Sequence, residues 1–560
     1  MKSKVLQLLV YTILCSTIGI LNCSAQAPNW LWAEKAGGIS SDFGKCITSD
    51  GNGNVYMTGK FASPTISFGS YTLINNSLNN DDIFIVKYDA SGNVQWARSA
   101  GGNYEECGSG ISVDADGNIY VTGYFSSLSI NFDSFTLTNP GLRYCVFVVK
   151  YDASGNVLWA NSAGEGTGYD EGKSIATDDF GNIYLTGWFQ SPTITFGSCT
   201  LTNVASGYDI FVVKYRSTGD VLWAKSAGGS STVGANYDLS NEITVDDNGN
   251  SFVTGTFNSP TITFGSYVLT NASGFDIFVV KYDASGNALW AKNSEGTGGD
   301  EGKSIKADAS GNCYITGCFY SPTITFGSYT LTNNSNSYYD IFVVKYDALG
   351  NVLWAKRTGG TYSDQATSIT LDANNNSYIT GFFYSMTFTF GSCILTKTDA
   401  DEDIFVLKYD ASGNEVWAKS VGGEEPEEGY SITADASGNC YVTGYFISGT
   451  IIFGNDTLTS AGGYNIFVAK LGTDSTSSTS ELNEQLIKVT IFPNPARDEL
   501  TVEGFQKTEI EILNIHGQLI KSTTATKEYT TIDISDLSDG IYFIKVNTDK
   551  GIAVKKFIKN

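Results

Sequence analysis

The sequence predicts an all-β protein: a seven-bladed β-propeller of four-stranded blades, followed by a smaller unit of short strands. Three observations predict it. Tryptophan recurs before alanine at Trp32, Trp96, Trp159, Trp223, Trp290, Trp354 and Trp417, spaced 64, 63, 64, 67, 64 and 63 residues apart. Such self-similarity marks a repeat architecture. A second phrase around Ile-Phe-Val keeps step with it, placing Phe84, Phe147, Phe211, Phe278, Phe342, Phe405 and Phe467. Aromatic residues reach 13% and glycines number 61, while the Glu and Lys typical of helix surfaces are sparse, a β-leaning composition.

The chain opens with Lys2 and Lys4, an apolar run from Val5 to Leu21, and Cys23-Ser-Ala-Gln-Ala27. A basic start, an apolar core and an Ala-x-Ala end predict a secretory signal peptide over residues 1–25, cut near Ala25 or Ala27. A lipid attachment at Cys23 fits poorly, because Leu21 and Asn22 do not suit the positions before it. No later stretch is apolar enough to span a bilayer.

The propeller is expected over residues 26–471. Each unit reads as four strands, a to d. In the third they are Ser174–Asp178, Ile183–Phe189, Ile210–Tyr215 and Val221–Ala224, with tight turns at Asp179–Asn182 and Arg216–Asp220. Glycine in these turns supplies positive φ and the Asx side chains bond their own backbone, which is hairpin chemistry. Strand c is apolar on both faces: Ile277 and Val279 on one, Phe278 and Val280 on the other. A strand with one wet face would alternate, so each sheet must lie between two others, as in radially stacked blades. The recurrent tryptophan of strand d then fills the wedge between neighbours.

The two ends test this. Strand d occurs first and alone at Asn29–Ala33, and strand c occurs last and alone at Ile466–Lys470. Six complete units lie between them. The missing outer strand of the seventh blade can come only from the N-terminus, which closes the ring; an open solenoid would need capping repeats instead. The excess over common propeller periods sits between strands b and c, as in Ser259–Asn271, and predicts an added hairpin on each blade along the face that carries the long connections.

These features resemble the SBBP repeats of secreted bacterial seven-bladed propellers. The matching residues are the Gly-Gly after strand d (ending at Gly102, Gly229, Gly360 and Gly423), the Asp-x-x-Gly-Asn turn, the Tyr-x-Thr-Gly of strand b and the Phe-Val-x-Lys of strand c. The resemblance covers roughly residues 28–471 and implies a fold rather than one activity.

Residues 472–486, rich in Ser and Thr, predict a flexible linker. From 487 to 560 the pattern changes to short alternating strands with Phe492-Pro-Asn-Pro-Ala496, Asp539-Gly-Ile-Tyr542 and a basic last strand, Lys555–Lys559. This tail is similar to the type A C-terminal sorting domain of the type IX secretion system in Bacteroidetes. The resemblance implies an immunoglobulin-like β-sandwich, handling by that machinery, tail cleavage, and release or attachment at the cell surface.

Composition excludes several functions. The net charge is −24, and the tail is neutral, with ten basic and ten acidic side chains, so nearly all the charge belongs to the propeller. An acidic surface argues against nucleic acid. The one histidine, His516, lies in the tail in an expected turn, so the propeller can build neither a histidine triad nor a His-ligated zinc site. The eight cysteines outside the signal are scattered, and most read as small buried thiols rather than a disulfide framework.

Acidic pairs recur in the d–a connections: Glu105-Glu106, Asp170-Glu171, Asp300-Glu301 and Glu427-Glu428. Clustered carboxylates could hold Ca²⁺, the one cofactor the sequence suggests, or act as acid and base on a glycosidic bond. Recurrence in nearly every blade favours a structural capping device instead, since active sites are asymmetric. The position after Thr-Gly-x-Phe varies between blades and supplies Gln190, Asn258, Tyr320 and Tyr384; Trp188 is a further singular aromatic. Aromatic rings with amides on an acidic rim could bind a sugar or peptide, with interblade packing as the competing role for Trp188. The reading is an exported binding scaffold presenting the hairpin face to a glycan or protein ligand. Alternatives are a carbohydrate-active hydrolase or lyase using carboxylates and Tyr, and a purely structural surface repeat.

Overall fold

A computed structural model describes residues 27–77, 80–164, 166–230, 236–335, 337–398, 401–472, 490–503, 508–514, 518–527, 529–548 and 551–560. The expected signal peptide, nearly all of the linker and His516 lie outside these residues. The chain divides into two compact units, 1–473 and 474–560. Among the described residues every regular element is a strand.

The first unit contains seven four-stranded antiparallel sheets, each ordered a–b–c–d. The third runs Asp170–Thr177, Ile183–Phe189, Asp209–Tyr215 and Val221–Ala227. Six sheets are contiguous in sequence. The seventh takes Glu427–Ala434, Cys440–Phe446 and Asn465–Gly472 from the end of the unit and Asn29–Ala36 from its start. The register runs from Asn29 opposite Gly472 to Ala36 opposite Ile466, so the two orphan strands complete one blade.

Innermost strands sit side by side around the ring. The Ile243 N–H donates to Ser174 Oγ, that of Ile369 to Ser304 Oγ, and that of Ile432 to Ser368 Oγ. The circle closes where the Ile47 N–H of the first sheet donates to Ser431 Oγ of the seventh. Each apolar core is shared between neighbours. Phe252, Ile277, Val279 and Trp290 of the fourth sheet pack against Ile315, Phe319, Phe342 and Val344 of the fifth. This is why strand c carries no polar face.

Trp32, Trp96, Trp159, Trp223 and Trp290 of the d strands bridge the wedges. Trp96 Nε1 donates to Ala153 O and Trp290 Nε1 to Ala348 O, each in the c–d turn of the next sheet. The turns hold themselves: Asp178 Oδ1 accepts from the Phe180 and Asn182 N–H groups, and Oδ2 from the Asn182 amide. The turn at Asp114 is held in the same way, with Tyr120 Oη as a further donor.

All seven inserts between b and c form two-stranded hairpins, but they do not build up the rim as the sequence suggests. Tyr329, at a hairpin tip, donates to Leu353 O at the start of strand d, on the opposite rim. The hairpin therefore folds down the outer flank of its blade. The cause is its own alternation: Ile262, Phe264 and Leu269 are buried, with Phe264 5.0 Å from Phe278, while the intervening residues face solvent.

The second unit contains a three-stranded sheet of Thr490–Phe492, Glu499–Glu503 and Tyr529–Asp533. A four-stranded sheet comprises Leu519–Ala525, Thr508–Leu513, Gly540–Thr548 and Gly551–Lys559. Both contribute to one apolar core containing Leu500, Val502, Ile510, Ile544 and Phe557.

Candidate functional site at the upper mouth of the ring

The upper rim is the one bearing the d–a and b–c connections. The structure parts the two members of each acidic pair there. One member turns inward: Glu106, Asp170, Asp300 and Glu427 are fully buried. Asp300 Oδ1 accepts from the Tyr320 and Ser321 N–H groups, and Oδ2 from Ser321 Oγ. Asp170 grips Gln190 and Ser191, and Glu427 grips Gly423 and Ser448. Asp42, Glu106, Asp238 and Asp364 do the same. The clasp recurs in all seven sheets because it ties two otherwise unsupported connections together. Burial is its main electrostatic consequence, pushing Glu106 and Glu427 up to about 7.

The other members face the mouth. Glu171 lies 3.1 Å from Lys173 and Glu301 pairs with Lys303. Glu428 accepts from Tyr445 Oη at 2.8 Å. No group of three or more His, Cys, Asp or Glu suited to a metal occurs among the described residues. All eight described cysteines are free thiols.

Gln190 and Asn258 serve the backbone: Oε1 and Oδ1 accept the N–H groups of Tyr169 and Tyr237. Tyr320 is 44% exposed and meets Tyr339 edge-on at 5.6 Å. Tyr384 donates to Glu402. Trp188 packs edge-on against Tyr208 at 4.9 Å, and Tyr208 stacks on Tyr237 of the next sheet at 5.3 Å. Trp188 thus belongs to an aromatic ladder that crosses a blade junction.

Two denser clusters escaped the sequence reading. Between the seventh and first sheets, Tyr445, Tyr464 and Phe43 pack mutually at 4.8 to 5.5 Å. Lys45 Nζ sits 4.1 Å over the Tyr430 ring, and burial lowers its pKa to about 8. Between the first and second sheets, Glu105 accepts from Tyr124 Oη at 2.7 Å and Tyr144 Oη at 3.0 Å and lies 3.2 Å from Lys60. Burial alone would raise Glu105, but these donors and the lysine outweigh it and hold its pKa below the usual value. Tyr124 and Tyr144 stack at 4.0 Å.

Fold and mouth together define a β-propeller with an aromatic, mixed-charge rim. Residues 163–188 match the family described as a beta-propeller repeat, SBBP, and residues 490–560 match the secretion system C-terminal sorting domain. The chain thus carries an SBBP-type propeller repeat and a type IX sorting tail, which directs it to secretion or the outer cell surface. It is 26% identical over 514 residues to an uncharacterized WD repeat-containing protein of Acanthamoeba polyphaga mimivirus, covering 76% of this chain and 36% of that protein. It is 25% identical over 289 residues to the regulatory protein FlaEY of Caulobacter vibrioides, covering 46% and 29%. The chain thus spans about a third of the length of these relatives. Among solved structures, PorZ, a surface component of the type IX secretion system of Porphyromonas gingivalis, aligns over 94% of this chain and all of that one, at 11% identity and a TM-score of 0.17. Sqt1 of Chaetomium thermophilum aligns over 80% and 100%, at 10% identity and a TM-score of 0.34. Among the described residues no helix is long and apolar enough to cross a membrane.

Proposed function

We propose that this protein is an exported binding scaffold that holds a glycan or protein ligand at the upper mouth of its propeller. The observation that supports this is the contrast between a uniform ring and a non-uniform mouth. Clasps, turns and tryptophan bridges repeat around the ring. The residue before strand c, by contrast, runs Asp81, Tyr144, Tyr208, Phe275, Tyr339, Glu402 and Tyr464. Uniform positions serve the scaffold; groups that change class from blade to blade can read an asymmetric ligand. Tyrosine and tryptophan offer an apolar face and a polar edge at low entropic cost, which suits sugar rings and peptide side chains. With the hairpins folded down the flank, the mouth replaces the hairpin face as the docking surface.

The test is a glycan and peptide array probed with the exported chain. A hit should weaken about tenfold, near 1.4 kcal/mol, in Trp188→Ala, Tyr320→Ala or Tyr384→Ala. Full binding by all three variants overturns the site. Cleavage of an arrayed glycan would identify a hydrolase instead.

A further inference from the structure

The outer flank carries a second feature, on the side away from the mouth. At three successive junctions a cavity opens between strand d of one sheet and the hairpin tip, strand c and c–d turn of the next. Their volumes are about 400 Å³ between the second and third sheets, about 390 Å³ between the third and fourth, and about 290 Å³ between the fourth and fifth. Equivalent residues line all three. A tyrosine closes each floor: Tyr215, Tyr282 and Tyr346. A serine at the hairpin tip forms one wall: Ser198, Ser266 and Ser328.

The rings of these tyrosines are only 2 to 3% exposed, like those of Tyr88 and Tyr151 at the same place in their own sheets. At these three cavities the phenol borders open space, where its hydroxyl can meet water or a ligand.

The neighbouring junctions carry the same frame with a different lining. Between the first and second sheets, Arg98 reaches across from the Lys225 position and donates to Gly155 O. Between the fifth and sixth, Glu415 takes the place of Val352 and pairs with Lys356 at 3.7 Å. Charged side chains thus enter the lining of those two junctions, and at the first of them a cavity of about 500 Å³ bordered by Trp96, Arg98 and Ala153 remains.

We infer that these three cavities form a repeated binding array for an uncharged polysaccharide, one hexose-sized unit per cavity. The features common to all three are a phenol hydroxyl, a serine hydroxyl and glycine-turn backbone, a set that hydrogen-bonds to hydroxyls. Val221, Ala288 and Val352 supply an apolar wall for a sugar face. Cationic groups are not common to the three: Lys225 and Lys292 correspond to Asn161 in the first. A propeller that carries nearly all of a −24 net charge also repels polyanions. Three weak sites on one chain gain strength through avidity.

The exported chain would be run through native gels containing dextran, laminarin or mannan, with polygalacturonate as the charged comparison. At least one neutral polymer should retard it. The triple variant Tyr215→Phe, Tyr282→Phe, Tyr346→Phe keeps every ring and should bind at least tenfold more weakly, with an unchanged thermal transition. Tyr320→Ala at the mouth should leave retardation intact, so failure here and failure of the mouth site are distinguishable. Absence of retardation by every neutral polymer, retardation by polygalacturonate alone, or full binding by the triple variant would overturn the inference.

Discussion

Asp276, at the head of strand c in the fourth sheet, is buried beside Asp300 of the fifth. Burial, with repulsion from Asp300, pushes it up to about 7. Asp209 near Asp238, and Glu106 near Asp82, are raised to about 7 for the same leading reason. A carboxyl whose folded value lies above its unfolded value near 4 keeps a proton that the unfolded chain has released. Its contribution to stability is therefore greatest at low pH and declines as pH rises from about 4 towards about 7. Thermal unfolding should show a higher midpoint at pH 5 than at pH 8; a midpoint that climbs across this range would refute the raised carboxyl values. The seventh sheet holds Asn465 where the fourth holds Asp276. Asp276→Asn should accordingly stabilise the protein by about 1 kcal/mol at pH 8 and have little effect at pH 5, read from the same melts.

At the level of the element, the c–d turn is the most exacting piece. Gly350 sits at φ +81°, and a Cβ there would lie 2.9 Å from the Trp290 ring. Gly350→Ala should cost about 2 kcal/mol in urea unfolding, whereas Gly51→Ala, with nothing within 4 Å of its Cβ position, should change the midpoint hardly at all. Strands and tight turns were legible because each carries its own local signal: two apolar faces in Asp276–Tyr282 and Asx-Gly chemistry at Asp178–Asn182. The hairpin also declared its alternation, but nothing local to Thr261–Thr270 says which surface will receive Ile262 and Phe264. Only tertiary packing decides that. The acidic pairs read as a capping device, and one member of each does cap backbone amides, but that the pair would divide was not read. Adjacent residues on a strand point to opposite faces, so Asp300 and Glu301 could not share one ion. The mouth clusters were missed because Tyr144, Tyr208 and Tyr464 sit just outside the two recurring phrases. Aligning the residue before each Asp-Ile-Phe would have exposed them.

For the whole molecule, blade number and closure were readable from two incomplete repeats, whereas cavities between blades were not, since they depend on which side chains reach across a junction. Deleting Asn29–Ala36 should lower the midpoint by roughly 10 °C, and an added peptide of that sequence should restore part of it; an unaltered midpoint would show that the exchange is dispensable. The exchange also governs how the ring bears load. In a propeller whose chain ended on its outermost strand, a pull on the C-terminus would peel that edge one hydrogen bond at a time. Here the chain leaves through Asn465–Gly472, clamped between Cys440–Phe446 on one side and Asn29–Ala36 on the other. Tension applied through the C-terminal tail therefore enters an inner strand held along both edges, where the ring is hardest to unzip.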